Sequence, residues 1–140
     1  INPNTLEHDE IELPRPDARP RRLEVTADGM VWYVDYATGM LGRYNPGSSE
    51  FTEWQMPQGE GARPYGMASD SQGRLWMVAT GVQPNVFLGF DPSSESFFNA
   101  TEVGSGGGTI RHMHYHEPSG AVWFGTDTNY VGRAIVEPDR

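Results

Sequence analysis

A set of landmarks that returns about every 45 residues constrains this chain more than its composition does. An acidic or amide residue precedes proline at Asn2-Pro3, Asn45-Pro46, Asp91-Pro92 and Glu137-Pro138. Between these marks, Gly29-Met30-Val31-Trp32, Gly73-Arg74-Leu75-Trp76 and Gly120-Ala121-Val122-Trp123 recur, followed by Leu41-Gly42-Arg43, Leu88-Gly89-Phe90 and Val131-Gly132-Arg133. Three landmarks keep one order three times. A period near 45 belongs either to propeller blades or to helical repeats.

Local chemistry separates the two. The segments between landmarks are short, rich in β-branched and aromatic residues, and bounded by Asp-Gly, Thr-Gly or Asn-Pro-Gly, which leaves no room for a ten-residue helix. The first repeat predicts four antiparallel strands at Arg21 to Thr26, Met30 to Asp35, Met40 to Asn45 and Glu50 to Gln55. The fold class is therefore all-β, with β-propeller blades of four antiparallel strands. Residues 1–14 align with 44–57 and supply a lone fourth strand, while the C-terminal end stops after a third strand at Glu137-Pro138. The chain divides into a blade at 15–57, a blade at 58–103 and a split blade made of 104–140 plus 1–14, in one propeller region. Three blades make too tight a ring, since propellers have about four or more. The expected partners are another copy of the chain, giving about six blades, or the remaining blades of a longer propeller. In either case the strand at 5–13 is expected to pair with that at about 130–136 and cover its edge.

Composition narrows the function. The chain carries 17 glycines, 11 prolines and a net charge of −9, with all ten basic residues arginine. Such an acidic chain is a poor match for a phosphate backbone or an anionic lipid surface, and it holds no run of about ten apolar residues that could span a bilayer, so neither nucleic acid nor direct membrane insertion is expected. There is no cysteine, hence no disulfide framework, thiolate zinc site or thiol nucleophile. The sequence begins at Ile1 without a signal peptide and reads as a processed product, an excised piece or part of something longer.

The pattern Arg19-Pro20, Asp28-Gly29-Met30-Val31-Trp32-Tyr33, Leu41-Gly42-Arg43, Asn45-Pro46, Phe51-Thr52-Glu53 and Met56-Pro57 resembles the blade of the streptogramin B lyase (virginiamycin B lyase) family. Arg63-Pro64-Tyr65-Gly66-Met67 with Gly73-Arg74-Leu75-Trp76 fits the same blade, and the resemblance covers nearly the whole chain. It implies a ring of about seven blades, and a carbon–oxygen lyase that opens the ester of a cyclic depsipeptide by elimination, with magnesium and a histidine base. In that family the base follows a proline at the start of an inner strand, and a glutamate lies a few residues past the blade tryptophan. The matching positions here hold Arg21, Tyr65 and Arg111, then Asp35, Ala79 and Thr126-Asp127. No blade presents the histidine–glutamate pair.

The most pointed local signal is Arg111-His112-Met113-His114-Tyr115-His116-Glu117, on the expected third inner strand. Strand alternation puts His112, His114 and His116 on one face, where a His-x-His pair can chelate a divalent metal. The alternative is that these imidazoles occupy the places of Gly66 and Ala68 in the preceding blade and bond to neighbours. Arg21, Tyr65 and Arg111 start three inner strands and so surround the channel mouth, where they offer a ring for an anion or carboxylate. The competing reading pairs an arginine with Asp35 or Asp127. The ligand-binding set is thus Arg21, Tyr65, Arg111 and His112, with His112 and His114 as the metal candidates. His112 and Arg111 are the catalytic candidates. Trp32, Trp76 and Trp123 are read as core, Trp54 as half-exposed. Gly104-Ser105-Gly106-Gly107-Gly108 lacks the lysine of a phosphate loop and is read as a flexible connection.

Three functions fit. One is a non-catalytic binding or scaffolding propeller, an accessory subunit of a larger extracytoplasmic (periplasmic or secreted) assembly. The second is a lyase completed by blades outside this chain. The third is a sugar- or metabolite-binding module.

Overall fold

The computed structural model describes residues 1–137, so Pro138 of the last landmark lies outside the described residues. Among the described residues, eleven strands form three antiparallel sheets. The first blade is β1 (Pro20–Val25), β2 (Val31–Asp35), β3 (Met40–Asn45) and β4 (Glu50–Gln55); the second is β5 (Pro64–Ser69), β6 (Leu75–Ala79), β7 (Val86–Asp91) and β8 (Ser96–Glu102). The third holds only β9 (Met113–His116), β10 (Ala121–Gly125) and β11 (Val131–Ile135). Strands follow one another in space as in sequence, and the described residues contain no α-helix, only two single-turn 3-10 segments. Residues 1–19 carry no strand. Their Arg15 Nε donates to Glu53 at 2.8 Å, and Ile11 and Leu13 line an apolar cleft with Leu23, Tyr33, Tyr44 and Phe51 of the first blade.

The recurring tryptophan is what packs one blade on the next. Trp32, essentially buried, stacks on Trp54 at 5.6 Å and meets Phe90 of the second blade at 5.8 Å. Trp76 repeats this, stacked on Phe87 at 5.4 Å, within a buried cluster that includes Ile110, Met113 and Val122 of the third blade. Each buried indole N–H also finds an acceptor six residues earlier: Thr26 Oγ1 at 3.2 Å for Trp32 and Asp70 Oδ2 at 2.8 Å for Trp76. A buried indole left without one would lose a good part of its packing gain.

Trp123 departs from the expectation of a core residue. It is 37% exposed, because the face of the third blade that carries it meets no further blade. The position is nonetheless built like that of Trp32. Arg133 lies over the Trp123 ring at 5.7 Å, as Arg43 lies over Trp32 at 5.5 Å, and the cross-strand partners match: Trp123 opposite Arg133, Trp32 opposite Arg43. Trp54, read as half-exposed, is partly buried against Trp32 and Phe90.

The glycine of each third strand has a steric reason. A Cβ at Gly42 would run into the ring of Tyr33, and one at Gly132 into that of Phe124. Tyr33 cannot easily give way, since its hydroxyl donates to Glu53 Oε1 at 3.1 Å. Burial, reinforced by that carboxylate, pushes the phenol far above its ordinary range and keeps it a donor at all working pH values.

Unequal tryptophans give a direct test. Trp32→Ala and Trp76→Ala should each cost about 3–5 kcal/mol in urea unfolding, whereas Trp123→Ala should cost less than about 1 kcal/mol in the single chain. Equal losses at all three would contradict this account of blade packing.

Candidate functional site

One end of the inner strands gathers cations around two aromatic rings. In β1, pairing with β2 shifts register between Pro20 and Leu23, so Arg21 and Arg22 occupy a bulge; β5 shifts likewise between Pro64 and Met67. A bulge re-aims side chains, and here both arginines reach one ring: the Arg21 guanidinium lies 5.6 Å from the Tyr65 centroid and that of Arg22 5.8 Å. Arg21 also covers Tyr36 at 5.0 Å, Arg63 approaches Tyr36 at 5.9 Å, and the two tyrosines meet edge-on at 5.8 Å.

Arg111 joins from the third blade. Arg22 Nε donates to the Arg111 carbonyl at 2.7 Å, a bond spanning blades one and three. The Arg111 guanidinium donates to Asp127 Oδ1 at 2.7 Å within its own blade. That pairing holds the Asp127 carboxyl below its usual range and raises Arg111 further. The structure places Arg21 over Tyr65 and joins Arg111 to them through Arg22, with Tyr36 and Arg63 alongside. Asp35 is not an arginine partner. It is fully buried and accepts from the Arg19 and Ala37 amides at 2.8 and 2.9 Å and from the Thr38 hydroxyl. Among the described residues no carboxylate lies within ion-pair distance of Arg21, Arg22 or Arg63.

The glycine run at 104–108 was expected to be a flexible connection; it is a bonded strap. Gln83 Nε2 and Asn85 Nδ2 donate to the Gly108 carbonyl at 2.8 and 2.9 Å, and the Asp127 amide donates to the Gly107 carbonyl at 3.0 Å. Gly106, Gly107 and Gly108 all adopt positive φ, which side chains disfavour. The strap delivers Thr109 to Arg111 to the mouth.

The histidines behave as strand alternation predicts: Met113 is buried and Tyr115 partly so, while His114 and His116 are exposed. His112 is exposed and precedes β9, so the strand starts later than the histidine run does. His116 Nδ1 lies 2.9 Å from Ser119 Oγ. Magnesium requires a near-octahedral set of oxygens. His112 and His114 offer nitrogens, and no three His, Asp or Glu side chains among the described residues converge as a metal site. These residues do not fit magnesium.

One carboxylate was missed by sequence reasoning. Glu24 of β1 accepts from Ser69 Oγ of β5 at 2.9 Å, and His112 and His114 stand close enough for their charges to act on it. Burial raises its carboxyl above the ordinary range, against the lowering effects of Ser69 and the two imidazoles. No motif marks Glu24, because its neighbours come from two other blades.

The Arg111–Asp127 pair yields a pH prediction. A depressed carboxyl stabilises the fold above its unfolded pKa and loses that contribution as pH falls through the folded value. In Arg111→Gln, a carboxyl-resolved NMR titration should show Asp127 moving up toward the ordinary aspartate value near 3.9. An unmoved Asp127 would mean the pair is not formed in solution.

The sequence matches no family model and no curated protein. Solved structures do match in shape. A streptogramin B lyase superposes with a TM-score of 0.68 at 18% identity, over 94% of this chain and 45% of the lyase. Virginiamycin B lyase from Staphylococcus aureus gives 0.67 at 18%, over 91% and 44%. PorZ, a bacterial surface component of the type-IX secretion system of Porphyromonas gingivalis, gives 0.60 at 22%, over 78% and 17%. The chain thus spans less than half the length of the lyases it matches. Its fold is that of consecutive β-propeller blades, similar to those of streptogramin B lyase.

Proposed function

We propose that the chain is a non-catalytic, ligand-binding part of a β-propeller whose channel mouth takes small carboxylates. The observation that carries this reading is the convergence of Arg21, Arg22 and Arg63 on Tyr36 and Tyr65, with Arg111 joined to Arg22 through its carbonyl and Asp127 held by Arg111 and the Thr109 amide. Four of ten arginines meet there on a chain of net charge −9. Collecting like charges without matching carboxylates costs stability, and an anionic ligand removes that cost. The lyase reading has less behind it, since the positions matching the family's base and glutamate carry Arg21, Tyr65, Arg111, Asp35, Ala79 and Asp127.

The same proposal includes further blades, from a second copy or a longer chain. Trp123, Val131 and Ile135 are exposed on the third blade's open face, and Leu23 and Val25 on the first blade's. These are the two kinds of face that meet inside the chain. Sedimentation of the 15.6 kDa chain should give a two-copy particle that Val131→Glu dissociates, unless further blades of a longer parent chain already cover both faces. An uncovered Trp123 in the native assembly would overturn the ring. An extracytoplasmic location belongs to this reading too, supported by the likeness to a bacterial surface component.

Calorimetric titration with citrate at low salt tests the mouth. Binding is expected, weakened about tenfold or more in an Arg21→Ala, Arg63→Ala double variant. Equal affinity in the two proteins, or none in either, would contradict the proposal.

A further inference from the structure

From Arg22, the last residue of the bulge, burial along β1 alternates, with Arg22 and Glu24 partly buried and Leu23 and Val25 exposed, so Arg22 and Glu24 share one face, about 7 Å apart along the strand. They are opposite charges at neighbouring places, yet no ion pair joins them. Each is tethered elsewhere: Arg22 Nε to the Arg111 carbonyl at 2.7 Å, with its guanidinium over Tyr65, and Glu24 Oε2 to Ser69 Oγ at 2.9 Å. The tethers come from different blades and hold the two charges apart. Both ends keep capacity. The terminal nitrogens of Arg22 make no hydrogen bond among the described residues, and a carboxylate offers about four acceptor sites.

We infer that Arg22 and Glu24 are the two ends of a site for an α-amino-acid zwitterion, the carboxylate on Arg22 and the ammonium on Glu24. The spacing suits that class. Amino nitrogen and carboxylate oxygen of an α-amino acid lie about 3 Å apart, and a charge-assisted hydrogen bond of about 2.8 Å at each end gives a span of at most about 9 Å, within reach of two side chains that leave one strand face about 7 Å apart. A plain carboxylate satisfies Arg22 alone and brings a like charge toward Glu24. A plain amine satisfies Glu24 alone and meets the arginines. Ser69, His112 and His114 face Glu24 from the second and third blades, and no arginine pairs with it, unlike the arginine mouth one step along the strand. Burial, which raises the Glu24 carboxyl, favours a ligand cation over bulk water as its partner. The inference rests on the mouth being a carboxylate site and names the ligand it selects.

Three probes with one ring separate the two claims: L-phenylalanine, 3-phenylpropionate, which lacks the amine, and phenethylamine, which lacks the carboxylate. NMR-detected titration of the folded chain at neutral pH and low salt should show phenylalanine binding at least about tenfold more tightly than either analogue. Glu24→Gln should bring phenylalanine to the level of 3-phenylpropionate without weakening the latter. Ser69→Ala, which leaves the carboxylate but frees it, should weaken phenylalanine several-fold and spare 3-phenylpropionate; it also serves if Glu24→Gln perturbs the near-ultraviolet spectrum. If 3-phenylpropionate binds as tightly as phenylalanine, or phenylalanine is indifferent to both variants, the zwitterion site is wrong and the carboxylate mouth stands. If no carboxylate binds, both are wrong.

Discussion

Everything in this chain depends on an indole being shared between two blades. A sheet of four short strands cannot bury both faces by itself, and a propeller solves this by giving each face a neighbour. Trp32 and Trp76 are the residues through which that happens, each packed on an aromatic ring and anchored by its N–H six residues back. The two buried clusters they head bridge blades one to two and two to three. Without them the three sheets have no fixed relation, and side chains from different blades do not meet.

The channel mouth is a product of that fixed relation. Arg22 reaches the Arg111 carbonyl across the second blade, and Glu24 meets Ser69 and comes near His112 and His114 at the start of β9, because β5 lies against both β1 and β9. Two local devices complete the geometry. The bulge in β1 turns two consecutive arginines toward one tyrosine, and the strap at 104–108, pinned by Gln83 and Asn85, presents Arg111 beside Asp127. Arginines without matching carboxylates thus gather at one place on an acidic chain, which is the electrostatic basis of the proposed anion site.

Periodicity made the blades legible. The strands of the first repeat fall within a residue of their predicted limits, and the grouping of Arg21, Tyr65 and Arg111 follows from their equivalent phase. Periodicity also treats every repeat as equal, which is why Trp123 was read as core: nothing in its local sequence differs from that of Trp32, and only the missing neighbour exposes it. The bulge at Arg21–Arg22 leaves no compositional mark, so Arg22 was missed, and Tyr36 and Arg63, just after β2 and just before β5, fall outside the positions that the repeat phase picks out. Glu24 was missed for a different reason. Its chemistry comes from Ser69 and from His112 and His114, two blades away, and no spacing along the chain encodes that meeting. Glycine content suggested mobility at 104–108, whereas the Gly108 carbonyl is held by the buried Asn85 amide and by Gln83, and the Gly107 carbonyl by the Asp127 N–H.

The central claim is that side chains from three blades act as one binding surface. Following the side-chain Nε–H resonances of the arginines by NMR during titration with a small carboxylate reads this residue by residue. Arg21, Arg22, Arg63 and Arg111 should shift together along one binding curve, while Arg15 and Arg133, which lie elsewhere on the chain, stay in place. Shifts spread evenly over all the arginines, or confined to those of a single blade, would contradict it.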